Sequence, residues 1–206
     1  MSDELVDIER RLEAKGLFDR SSSSLSLRVP GENAALFTLG GDAPRTLELD
    51  AETDEHAAIH ACVYRARQDV GGVVVGTSRW TTALASLGIA VPSLFDEQAR
   101  HIGPGAPPIA ERDLSSLERA LSTGTNALVI GNLRIGLGST PNRVVLNADL
   151  FEKCTKAFVV ASATGGSVHG LPPWACELWY ERLRKDQLRA AAAYGAGRVP
   201  SGMDAY

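Results

Sequence analysis

The sequence predicts an α/β domain whose strands form a mixed, mostly antiparallel sheet covered by helices. Three observations predict it. Short stretches of alternating apolar and polar residues come in pairs joined by turn residues, the mark of hairpins. Stretches with apolar residues at helical spacing separate those pairs. Hydrophobic residues make up 44% of the 206 residues and charged residues 22%, enough to bury an ordinary core in one domain.

Each element follows from local pattern. Leu5, Ile8, Leu12 and Leu17, with Gly16 as a C-cap, predict an amphipathic helix over 4–16. Leu25, Leu27 and Val29 alternate with polar residues, the Pro30–Asn33 stretch turns the chain, and Ala35 and Phe37 alternate again. This is a hairpin with strands over 24–29 and 34–39. "RTLELD" is a further short strand. Residues 53–67 form a helix, with Thr53 as N-cap and Asp54 and Glu55 suited to the positive end of its dipole. "GGVVVGTS" is a buried strand that ends in small polar residues, "RWTTALASLG" a short helix stopped by Gly88, and "IAVPSL" a short strand or extended piece. The proline-rich "HIGPGAPPIAERD" is an irregular loop. "DLSSLERALSTG" is a helix capped by Asp113 or Ser115. Ala127–Ile130 and Leu133–Leu137 form a second hairpin around Gly131 and Asn132. Helices over 146–163 and 173–192 follow, the second opened by Pro172 and Pro173. Residues 1–192 thus read as one domain and 193–206 as a weakly ordered tail.

Composition excludes several classes of function. The net charge is −4 with the two signs interspersed, so no basic stripe supports nucleic-acid binding. No apolar run reaches the roughly 18 residues of a membrane span, and the acidic, amphipathic N-terminus is unlike a signal peptide. Cys62, Cys154 and Cys176 are far apart and odd in number, as expected of reduced thiols in a cytoplasmic protein.

The stretch "EHAAIHACVYRARQDVGGVV" resembles the class II aldolase/adducin family, whose metal-dependent members are sugar-phosphate aldolases and epimerases. From about residue 5 to residue 163 the order of pieces is similar. "KGLFDRSSSSLSLR" stands where the family reads "GL.dgtgGNlSvR", "LFTLGG" where it reads "lITPsG", and "IHACVYRARQDVGGVV" where it reads "lH.aiYrarpdv.aVv". "ALVIGNLRIGLGS" and "ADLFEKCTKAFVVASA" are similar to its late strand pair and long helix. The resemblance implies a three-layer α/β/α class II aldolase-like fold around the mixed, mostly antiparallel sheet. It also implies a small-molecule ligand and a homo-oligomer, often a tetramer.

It also implies a divalent metal, zinc by default, which this sequence is not equipped to hold. The family's two histidines in "VvHtHs" fall on Val75 and Thr77, and the histidine of its "nHG" motif falls on Asn132. Valine cannot bind zinc, and the Thr hydroxyl and Asn carbonyl are poor ligands for it. No cofactor is therefore expected. The phosphate pocket of the family has changed as well. Ser22, Ser23 and Ser24 replace its "GGN" turn, and Asp54, Glu55 and His56 replace the "SSE" helix start. Acidic side chains there occupy the free N–H groups and repel an anion, so a sugar phosphate is not the expected ligand. The family's catalytic carboxylate aligns with His56, or with Glu55 one residue out of register.

The candidates that remain are His56 and Glu55 for acid/base work, and Ser22, Ser23, Ser24, Thr77, Ser78 and Asn132 for a small, polar, non-phosphorylated ligand. Thr77, Ser78 and Asn132 can equally fill the former metal cavity with bonded polar groups. His56 and His60, four apart on one helix face, can hold a relocated metal if Glu55, His101 or His169 supplies a third ligand. Otherwise His60 is a buried structural histidine. A C-terminal tyrosine acts as proton donor in the aldolases, and no motif selects among Tyr180, Tyr194 and Tyr206 here. Three functions follow: a metal-independent lyase of retro-aldol or decarboxylase type, a non-catalytic scaffold of the adducin-head type, or a metalloenzyme with its site at His56 and His60.

Overall fold

The structure is a computed structural model that describes residues 1–51, 54–110 and 113–203. Six strands make one sheet in the order β3-β2-β1-β4-β6-β5. They are β1 (Ser24–Arg28), β2 (Ala34–Leu39), β3 (Arg45–Glu48), β4 (Gly72–Gly76), β5 (Ala127–Ile130) and β6 (Leu133–Gly138). Every pair of neighbouring strands is antiparallel. The parallel component is a single bridge between Ile109 and Ile130 at the β5 edge. Seven helices surround the sheet among the described residues: α1 (Ser2–Ala14), α2 (Glu55–Ala66), α3 (Arg79–Leu87), α4 (Asp96–His101), α5 (Leu114–Leu121), α6 (Pro141–Ala163) and α7 (Pro173–Gly195).

Strand alternation assigns each side chain to a face. Phe37, Val73, Val75, Ile135 and Leu137 face α2 and α5, where they pack on Ile59, Val63, Leu117 and Leu121. Leu25, Leu27 and Val74 face the opposite layer and pack on Leu5, Ile8 and Leu12 of α1 and Val144 and Ala148 of α6. The result is the expected three-layer arrangement of helices, sheet and helices. Helix α6 can cross close to the sheet because Gly72 and Gly138 lie opposite each other in register beneath it. A Cβ at Gly138 would stand 2.3 Å from the Val144 nitrogen, and one at Gly72 would stand 2.6 Å from Val144 Cγ2.

Most expected elements are present, with differences at their ends. The N-cap of α2 is Asp54, whose carboxylate accepts from the Ala57 N–H at 2.8 Å; Thr53 lies outside the described residues. Helix α6 begins at Pro141 rather than at residue 146, because Thr140 caps it and proline suits its first turn. Residues 89–94 form no strand, and the six-residue α4 follows where no helix was expected. The predicted tail starts inside α7, which runs on to Gly195, and further along the Met203 carbonyl accepts a bond from Arg143. Among the described residues no helix is long and apolar enough to cross a membrane.

Candidate functional site

The polar face of β1 meets one face of α2. Two residues of strand advance about 6.7 Å and four residues of helix about 6 Å, so alternate strand positions stay in step with successive helix turns. Ser24, Ser26 and Arg28 are thereby set against His56, His60 and Tyr64. Ser24 Oγ lies 2.7 Å from His56 Nδ1 and 2.9 Å from His60 Nε2. Ser26 Oγ lies 2.6 Å from His60 Nδ1 and 2.8 Å from the Tyr64 hydroxyl. Arg28 closes the row with its guanidinium 4.8 Å from the Tyr64 ring centroid, held by the carbonyls of Val70, Tyr64 and Arg67. Phe37 meets the His60 ring edge-on at 5.1 Å. His60 and Tyr64 are fully buried, and only His56 is partly open.

Hydrogen-bond satisfaction sets the proton directions along this ladder. Burial, and secondarily the neighbouring His56, hold the His60 pKa well below its ordinary value, so the ring is neutral, with one donor and one acceptor. Burial likewise raises the Tyr64 phenol, which stays protonated. Among the described residues, the only hydrogen-bond partner of the Tyr64 hydroxyl is Ser26. Tyr64 therefore donates to Ser26, Ser26 to His60 Nδ1, His60 Nε2–H to Ser24, and Ser24 to His56 Nδ1. The open end of the ladder is then the Nε2–H of a neutral His56. Burial also lowers the His56 pKa, opposed by the charges of Asp54 and of the exposed Glu55.

The other candidates are placed elsewhere. Ser22 sits in the preceding turn, its hydroxyl 3.5 Å from Asp19. Buried Ser23 accepts from the Asp19 N–H at 3.0 Å and packs against Gly76, where a Cβ would stand 2.3 Å from its Oγ. Of the three serines, Ser24 alone enters the ladder. Ser78 is the N-cap of α3 and donates to Glu152 at 2.5 Å, on the face opposite the ladder.

Strand register shows what surrounds the three positions that the resemblance assigns to a metal. Val75 pairs with Ile135 and Gly76 with Arg134, where β4 ends; Leu133 is the next residue of β6 towards the turn. Asn132 is exposed in the β5–β6 turn. Val75 and Leu133 pack in the layer that faces α2, and these apolar side chains, with the Thr77 hydroxyl after the end of β4, do not fit zinc. No three His, Cys, Asp or Glu side chains gather among the described residues. His101 lies 2.8 Å from Arg143, and His169 lies 3.2 Å from Ser167, so neither joins His56 and His60. The Tyr180 hydroxyl bonds Ser93 and the Tyr194 hydroxyl bonds the Ser139 carbonyl; Tyr206 lies outside the described residues.

The order of elements and the ladder-bearing helix agree with a sequence profile. The profile of the class II aldolase and adducin N-terminal domain matches residues 3–159. The chain belongs to the class II aldolase/adducin family. No curated protein sequence matches it. Solved structures share the fold at low identity. An L-fuculose 1-phosphate aldolase is 16% identical with a TM-score of 0.76, covering 89% of this chain and 95% of its own. YgbL from Klebsiella pneumoniae is 17% identical with a TM-score of 0.71, covering 86% and 96%. An L-fuculose 1-phosphate aldolase from Glaciozyma antarctica PI12 is 14% identical with a TM-score of 0.69, covering 97% and 91%.

For this class II aldolase/adducin domain, the sequence reading missed Ser26, Arg28 and Tyr64 as members of the site. The signal was present as "SLSLR" and "HAAIHACVY". Polar residues two apart on a strand and four apart on a helix mark faces that can pair. It also missed Arg134, fully buried on the other face of the sheet, which donates from Nη2 to the Leu17 carbonyl at 2.6 Å. Its Nε and Nη1 find no acceptor among the described residues. Burial lowers its pKa to about 10, against the opposing charge of Glu152.

Proposed function

We propose that this protein binds a small, polar, non-phosphorylated carbonyl compound beside the start of α2 and acts on it as a metal-independent lyase of retro-aldol or decarboxylase type. The observation that carries this reading is the ladder ending on a neutral histidine that presents Nε2–H. A ligand carbonyl oxygen accepts from this N–H. As the bond between the α- and β-carbons breaks, its electron pair moves through the α-carbon onto that oxygen, and the enolate is met by a donor already in place. A β-hydroxyl loses its proton to water and leaves as a carbonyl, or a β-carboxylate leaves as carbon dioxide, and water returns a proton to the α-carbon. Complete transfer of the proton would run down the ladder and leave Tyr64 as a buried phenolate, which its raised pKa opposes. His56 therefore works as a hydrogen-bond donor, and the substrate must supply its own electron sink. Asp54 supports the non-phosphorylated class, because its carboxylate occupies the Ala57 N–H that a phosphate would use. No step is routed through a metal, since Val75, Thr77 and Leu133 do not suit one.

The test is a screen of 3-oxo acids and 3-hydroxy carbonyl compounds on protein treated with a chelator, with His56→Ala alongside. Turnover that survives the chelator and falls roughly 10²-fold in the variant is the expected result. Turnover that requires added divalent metal and is indifferent to His56 would refute the reading.

A second reading, a non-catalytic oligomeric scaffold of the adducin-head type, is favoured by one observation. The space beside Ser78 is taken by the Glu152 carboxylate, next to the buried Arg134, rather than left for a ligand. Absence of binding for every compound in the screen, with the fold intact, would favour that reading.

A further inference from the structure

At the end of the sheet away from His56, the segment 198–203 passes over α4, α6 and α7 and closes a cavity of about 330 Å3. Among the described residues its lining includes four guanidinium groups, from Arg100, Arg143, Arg189 and Arg198, and one carboxylate, Asp186. The chain as a whole carries a net charge of −4, so this concentration of positive charge runs against the sign of the molecule. Among the described lining residues, Arg100, Arg189 and Arg198 have the single carboxylate of Asp186 to balance them, and like charges so arranged repel one another unless a further anion joins them.

The arginines are held in place by the protein. Arg143 donates from Nε to the Met203 carbonyl at 2.6 Å and from Nη1 to His101 Nδ1 at 2.8 Å. Asp186 receives Arg100 and, at 3.5 Å, Arg189. One carboxylate between two guanidiniums leaves donors of both unspent. Arg198 makes no side-chain hydrogen bond or ion pair with the described residues. His101 registers the resulting field. Burial, then Arg143 and Arg100, push its pKa down to about 4, so it stays neutral and accepts from Arg143.

We infer that this cavity is a second binding site, separate from the His56 site, for a compact polyanion bearing two or more phosphate or carboxylate groups. Guanidinium forks match either oxyanion in a bidentate way, and several forks converging on one small cavity select for multiple charge. A bound polyanion bridges Arg198 on the segment 198–203 to Arg100 on α4 and Arg189 on α7, and so fastens the segment to the body of the domain.

Calorimetric titration with pyrophosphate and, separately, with citrate tests the assignment at a fixed ionic strength of about 0.15 M, where diffuse attraction is screened beyond about 8 Å. Removing Arg143 would also release Met203, so the informative variants are Arg189→Gln and Arg198→Gln. One equivalent of polyanion is expected per chain, with affinity weakened roughly tenfold or more in each variant. His56→Ala is expected to bind it as the unaltered protein does. Pyrophosphate binding alone would assign a phosphate-bearing ligand, and citrate binding alone a carboxylate-bearing one. Failure of both to saturate, or affinities unmoved by the two arginine variants, would overturn the assignment.

Discussion

The α2 face of the sheet has two contrasting regions: the β1 side, against His56, His60 and Tyr64, and the β4–β6 side, where metal ligands are implied by family resemblance. On the β1 side Ser24, Ser26, His60 and Tyr64 are buried and each is hydrogen-bonded to the next. On the β4–β6 side the corresponding face carries Val75 and Leu133, with Thr77 after the end of β4. A buried polar group without a partner costs about 1–3 kcal/mol. Imidazoles that lose a metal need a substitute partner or must give way to apolar side chains. The ladder holds its polar groups because each has a neighbour of the right kind, and the β4–β6 side, which offers imidazoles no such neighbours, carries the apolar Val75 and Leu133.

The largest effect is expected from breaking the ladder at its centre. His60→Leu leaves Ser24 and Ser26 without their shared partner in a buried setting, and should destabilise the fold by roughly 2–4 kcal/mol. Urea denaturation measures it, and a loss under about 0.5 kcal/mol would mean the ladder contributes little to stability. The metal edge gives the converse experiment. The triple substitution Val75→His, Thr77→His, Leu133→His puts imidazoles at all three positions, and zinc should stabilise that variant by about 2.7 kcal/mol at a hundredfold excess over its dissociation constant. Melting of the unaltered protein should not respond to zinc; a response there would contradict the register-based reading of this edge.

Acid sensitivity is the smallest of the three effects. Burial holds the folded pKa of His56, His60 and His101 below the ordinary 6.5. As pH falls below 6.5 the unfolded chain therefore takes up more protons than the folded chain, and stability falls with it. The decline should run from pH 6.5 down towards about 4, the folded value of His101. Urea midpoints collected across that range check it. His101→Gln should flatten the lower part of the slope, and an unchanged slope would show that its low pKa does not contribute.

Much of the architecture was legible in the sequence. Both hairpins, the helix bearing His56 and His60, and the long helices follow from periodicity, because burying one face imposes a period of two on a strand and about 3.6 on a helix. The resemblance places Val75 and Thr77 where the family has its first two metal histidines, in a run with few alternative alignments. The site was less legible. Ser22, Ser23 and Ser24 look alike in sequence, yet they bond Asp19, pack on Gly76 and join the ladder respectively. Ser78 looks like a ligand donor and is a helix cap. The four arginines of the polyanion cavity come from positions 100, 143, 189 and 198, too far apart for any local pattern to connect.

The sequence by itself determined most of the secondary structure and the family, because these depend on residue type and short-range spacing. The tertiary structure alone decided that β1 and α2 pair tooth for tooth and that Ser24 rather than Ser22 or Ser23 meets His56. Both depend on which elements lie beside one another, and those are relations between residues distant in the chain.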